Sequence, residues 1–154
     1  MTGVKVEIEA VRPSESPPGA EVRYRVRNDS EATVWVVDDD TLAWLQDGDR
    51  ITLDRSRVPM QPGVQPFGYF DPEVTALEPG ESLERTVELS WPQQLSRLWN
   101  REGEVSPTPG EHDIVVRVGY GTSPTPDRPR ESVEDGVLTW QRTAESEPAR
   151  LTVA

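Results

Sequence analysis

Apolar and polar residues alternate along most of this chain, with turns between the alternating runs. Val4, Val6, Ile8 and Ala10 interleave with Lys5, Glu7 and Glu9, which predicts a strand over residues 4–11. Pro13, Pro17, Pro18 and Gly19 break it. The alternation resumes in EVRYRVRN, with Val22, Tyr24 and Val26 on one face and Arg23, Arg25 and Arg27 on the other. After the Asn28-Asp29-Ser30 turn, TVWVV places Val34 and Val36 on one face, and Trp35 and Val37 on the opposite one. TLAWL and RITLDR flank Gln46-Asp47-Gly48-Asp49, and Asp-Gly between two alternating runs predicts a hairpin.

The stretch LEPGESLERTVELS, residues 77–90, is the most explicit. Proline presets φ near −65° and glycine accepts positive φ, so Pro79-Gly80 predicts a type II turn. Leu83, Val87 and Leu89 then alternate with Ser82, Glu84, Thr86 and Glu88 as in a half-buried strand. Pro109-Gly110 opens a second such strand through Ile114, Val116 and Val118. GVLTWQR and ARLTVA read as two closing strands.

Two stretches break the pattern. Residues 55–73 carry four prolines, which excludes a central strand and predicts a long loop. In SWPQQLSRLWN, Ser90 stands at a capping position, Pro92 fits an early helical position and Gln93 follows Ser90 by three. Leu95, Leu98 and Trp99 would share one face, so a short helix is predicted near 91–100. Many short strands, frequent turns and one short helix indicate an all-β protein: a single antiparallel β-sandwich domain over residues 1–154.

Composition sharpens this picture. The 154 residues suffice for one core, while 15 prolines and 11 glycines favour short elements over long helices. The net charge of −12 predicts a surface that repels nucleic acid and anionic lipid and is able to steer a basic partner. The arginines 23, 25 and 27 are expected to pair with carboxylates across strands rather than form a binding stripe. There is no cysteine, which removes disulfides, thiolate catalysis and Cys-ligated metals. The N-terminal MTGVKVEIEA has no apolar signal core, and no run of 18 apolar residues occurs. A cytoplasmic protein without membrane insertion is expected of the chain as given, or a secreted or periplasmic one if a signal has been trimmed.

Chemistry-bearing residues form no recognised constellation. The single histidine, His112, sits near a strand start, where it is expected to be exposed and not to bind metal. Asp38, Asp39 and Asp40 precede TLAWL, whereas Asp47 and Asp49 follow it. A straight five-residue strand spans about 16 Å, too far for both groups to share one calcium ion. No catalytic, cofactor or metal residues are assigned. The five tryptophans suggest either core material or, if exposed in a row, a carbohydrate-stacking platform.

RVRNDSEATVWVV, LEPGESLERTVELS, TPGEHDIVVRVGYG and a Trp followed by SEPARLTV together resemble immunoglobulin-like bacterial domains. The similarity is to the bacterial intracellular proteinase-inhibitor family and to the immunoglobulin-like prodomain of some zinc metalloendopeptidases. It spans roughly residues 20–154 and implies an immunoglobulin-like sandwich; the endopeptidase His-Glu-x-x-His is absent. The resulting expectation is a non-enzymatic protein-interaction module with a protein partner, the alternatives being a proteinase inhibitor and a carbohydrate-binding module. The contact surface is expected in the loop over residues 55–72, where prolines stiffen apolar material, with Met60, Phe67 and Tyr69 as contacts. Trp35 is added as an outward-facing contact.

Overall fold

The computed structural model describes residues 3–63, 71–126 and 133–154, and nearly all of its regular structure is strand. Strands β1 (Val4–Glu15), β2 (Pro18–Asn28) and β7 (Ser82–Ser90) form a three-stranded sheet in the order β1-β2-β7. The larger sheet runs β4 (Ala43–Asp47), β5 (Arg50–Asp54), β10 (Gly110–Gly121), β3 (Val34–Val37), β6 (Val74–Leu77). The twelve residues of β10 are its axis. One edge of β10 pairs with β5 and then β3; the other pairs with β12 (Ala149–Val153) and then β11 (Arg142–Glu145). The ladders are antiparallel, with one departure: β5 runs parallel to β10.

Alternation sets the faces. Val22, Tyr24 and Val26 of β2 and Leu83, Val87 and Leu89 of β7 meet Ile114, Val116, Val118 and Tyr120 of β10, with Ile51 and Leu53 of β5, in one continuous core. Both sheets therefore bury one face against each other, as the pattern predicts. On the outer face of the small sheet two of the three stripe arginines pair: Arg25 bonds Glu84 at 2.8 Å and reaches Glu9, and Arg27 bonds Asp29, while Arg23 is exposed and makes no ion pair among the described residues. Glu78-Pro79-Gly80-Glu81 is the type II turn expected, with Gly80 at φ +82° and the Glu81 amide on the Glu78 carbonyl at 2.9 Å. The β4–β5 hairpin places Gly48, φ +61°, at the first central position, the type II′ pattern.

The helix lies elsewhere than expected. Residues 91–100 hold no helix; Gln93–Gln94 (β8) pair instead with Glu104–Val105 (β9), followed by one turn in which the Asn100 amide bonds the Ser96 carbonyl. Half of the expected capping box does form, since Gln93 Oε1 accepts the Ser90 amide at 3.0 Å. That bond closes the end of β7, and the chain then enters a hairpin. The helix α1, Val133–Trp140, occupies most of GVLTWQR, expected as a strand. A short apolar run fits either period, and here the outer face of the large sheet decides. Gly119 and Gly121 leave that face bare, and Gln141 and Trp140 fill the space that a side chain on either would need. Val137 is fully buried there.

His112 also departs from expectation. It shares the inward parity of Ile114 and Val116, is only 1% exposed, and bonds the Thr108 carbonyl through Nε2 at 2.7 Å. Among the described residues no helix is long and apolar enough to cross a membrane.

Candidate functional site

The connection from β3 to β4, residues 38–42, crosses one end of the molecule, where arginines from β7 and from the segment after β5 pin it. Arg85 of β7 bonds both Asp38 carboxylate oxygens, and Thr75 of β6 adds a 2.6 Å bond. Arg57 pairs with Asp39 at 3.0 Å, and Arg55 donates to the Asp39 carbonyl at 2.8 Å. The Arg57 guanidinium also lies 5.3 Å from the Trp99 ring centre, a cation–π distance.

Burial would raise the Asp38 and Asp39 carboxyls. Arg85 and Thr75 outweigh it at Asp38, and Thr41 and Arg57 at Asp39, so both are held below the ordinary carboxylate value. Tyr24, nearly buried between the sheets, moves the other way. Burial raises its phenol against the opposing pull of Arg55 beside it. Asp38 and Asp39 are thus fixed anions whose charge already has a cation.

Asp40 and Glu73 differ. Both are exposed, and neither makes an ion pair among the described residues. With Asp38, Asp39, Thr41, Arg57, Asp71 and Trp99 they line an open cleft of about 470 Å³. A second groove of about 390 Å³ shares Asp40, Thr41 and Trp99 and runs on to Thr86, Val87 and Glu88 at the edge of β7. Trp99 is half-buried between the two. The Trp99 ring already has the Arg57 guanidinium over it. What the cleft offers a cationic side chain is therefore the Coulomb attraction of Asp40 and Glu73, which make no ion pair among the described residues.

The expected contact residues are only partly brought together. Phe67 and Tyr69 lie outside the described residues. Met60 is half-buried, and its amide points to Glu134 of α1 at 3.3 Å. The described part of its loop is tied down. Gln141 bonds the amide and the carbonyl of Arg57, both at 2.8 Å, and Gln61 takes the Leu98 carbonyl. Trp35 faces away from the core as expected, but it is half-buried, in register with Gly121, over which the Trp140 indole sits. All five tryptophans are half-buried. Trp44 and Trp91 meet edge to face at 6.2 Å, and Trp140 Nε1 donates to the Ser123 carbonyl.

In the sequence Asp38–Asp40 stand out only as candidate calcium ligands, and Glu73 carries no local signal. The signal that was legible is the excess of acid over base; which carboxylates lack a partner depends on Arg55, Arg57 and Arg85, distant in sequence. No family model matches this chain, and neither a curated protein nor a solved structure matches it.

Proposed function

We propose that this protein is a non-enzymatic protein-interaction module of immunoglobulin-like build that docks a basic segment of a partner protein at its acidic end. The observation that carries this reading is the open cleft in which Asp40 and Glu73, both exposed, have no ion-pair partner among the described residues. Two further features support it. The net charge of −12 steers a basic partner towards the surface, and the pinned connection at 38–42 is pre-organised, so that little order has to be imposed on binding.

The test uses a blocked ten-residue peptide alternating lysine with valine, and its glutamate counterpart. The lysine peptide binds at low ionic strength and weakens as salt rises. The double variant Asp40→Lys, Glu73→Lys lowers its affinity by about tenfold or more, the scale of one to two lost charge contacts. Equal binding of both peptides, or an affinity untouched by the double reversal, would overturn the reading.

A further inference from the structure

The groove beside Asp40, which Gln93, Gln94, Leu95 and Ser96 also line, ends on the edge of β7, with which no further strand pairs among the described residues. In the β2–β7 ladder the Asn28 amide bonds the Glu81 carbonyl and the Trp91 amide bonds the Pro18 carbonyl, which fixes the parity between them. The odd-numbered residues of β7 bond β2. The even-numbered residues Ser82, Glu84, Thr86, Glu88 and Ser90 aim their backbone groups at the open side. Two of these groups are already engaged: Arg85 Nη1 donates to the Glu84 carbonyl and Gln93 accepts the Ser90 amide. Among the described residues the N–H and C=O groups of Thr86 and Glu88 have no partner, and these two residues line the 390 Å³ groove.

Strand edges are ordinarily defended by prolines, bulges, charged side chains or a covering segment. On β7 the charges are Glu84, Arg85 and Glu88, of which Arg85 is held by Asp38 and Glu84 by Arg25. The other edge of the small sheet, β1, carries a bulge between Ile8 and Ala10, a proline at position 13, and β10, β11 and β12 packed against it. At the β4 edge the Asn100 side chain accepts from the Trp44 amide and donates to the Leu42 carbonyl. SLERTVELS has no proline, glycine, lysine or bulge over its nine residues.

We infer that β7 is a strand-addition site: an extended, basic segment of a partner protein pairs with the free backbone groups of Thr86 and Glu88 and places its cationic side chains against Glu88 and Asp40. The inference rests on the interaction reading above and states how the partner is held.

Charge complementarity selects this occupant. Glu88 stands directly opposite Glu21 on β2, and Glu21 has Arg12 opposite it on β1. Among the described residues, by contrast, the open side of Glu88 has no strand beside it and Glu88 makes no ion pair, so a lysine or arginine on an added strand would supply the missing cross-strand cation. The same charges work against a second copy of this chain. Antiparallel self-pairing in the register of greatest overlap, centred on Thr86, sets each Glu84 opposite a Glu88. Added strands draw affinity from main-chain bonds and selectivity from alternate side chains, as in other β-augmentation complexes.

The experiment follows amide exchange of the full chain by NMR with the lysine–valine peptide, alongside the same peptide methylated on alternate backbone nitrogens. The Thr86 and Glu88 amides exchange fast in the free protein and slow at least tenfold when the peptide saturates; the methylated peptide binds at least tenfold more weakly. Thr86→Pro removes an outward N–H without touching the β2 ladder, so it lowers peptide affinity at least tenfold while the melting temperature stays close to that of the parent. The methylated peptide decides the matter if that variant does not fold.

If both peptides bind alike and the two amides exchange unchanged, strand addition is overturned, while sensitivity to the Asp40 and Glu73 reversals would leave the interaction reading standing. If the lysine peptide does not bind at millimolar concentration, both fall. Protection of Thr86 and Glu88 that grows with protein concentration and without peptide would assign the edge to a second copy and overturn the proposal.

Discussion

Asn28 is fully buried where β2 ends, and its amide serves two segments at once. Nδ2 donates to the carbonyls of Ala32 and Leu77, both at 2.8 Å, and Oδ1 accepts from the Ser30 amide and hydroxyl. Asn28→Ala leaves the Leu77 carbonyl unsatisfied inside the fold, so a loss of about 2 kcal/mol is expected. In thermal unfolding this is a fall of about 4–8 °C for a domain this size. Asp38 supplies a second prediction at this scale. Its folded value lies below the ordinary carboxylate value of about 3.9. Its contribution is therefore complete above that value and is lost as pH falls through the lower, folded one. The difference in urea midpoint between the parent and Arg85→Met should be constant from neutrality to about pH 4 and shrink below it. A difference that persists to about pH 2 would mean that Arg85 acts by packing and not through the ionised Asp38.

Helix α1 depends on two positions where β10 has no side chain. A Cβ on Gly121 would come within 1.9 Å of the Trp140 indole, so Gly121→Ala is expected to cost about 1–3 kcal/mol, as overpacked cores do, or to lift the helix off. Red-shifted tryptophan fluorescence at unchanged strand content would report the second outcome; an unchanged spectrum and melting temperature would show that α1 is not seated on Gly121. The long strands were legible because each carries its own alternation, and the type II turn because Pro79 and Gly80 determine it locally. Strands β6, β8, β9 and β11 were not, and β1 and β2 run on to Glu15 and from Pro18, through prolines expected to break them. Nor was the helix. Val137 and Trp140 share a helical face while Leu138 and Trp140 share a strand face, so the short run fits both periods, and the choice is made by Gly119 and Gly121, distant in sequence. The expected helix near 91–100 failed for the converse reason: Gln93 completes a capping bond to Ser90, but Gln94 and its neighbour pair with Glu104 and Val105. The parallel pairing of β5 with β10 has no local signal at all. Of the candidate contacts, the apolar loop attracted notice through its composition, whereas Asp40 and Glu73 stand out only once Asp38 and Asp39 are seen to be neutralised by arginines.

Across the whole molecule the excess of acid is unevenly compensated. Arginines pair with carboxylates along the outer face of the small sheet, and Arg117 does so with Asp54 and Glu145 on the large one. The end of the molecule bearing Asp40, Glu73 and Glu88 is where exposed carboxylates that make no ion pair among the described residues adjoin two clefts. The central claim is that this end, and no other, receives a basic partner. The most direct measurement is a map of backbone amide shifts as the lysine–valine peptide is titrated into isotope-labelled protein at low and at high salt. The account predicts shifts confined to residues 38–42, 71–73, 84–90 and 99, diminishing as salt screens the carboxylates. Shifts spread evenly over the surface, or gathered on the β1–β2 hairpin tip at residues 12–18 and insensitive to salt, would contradict it.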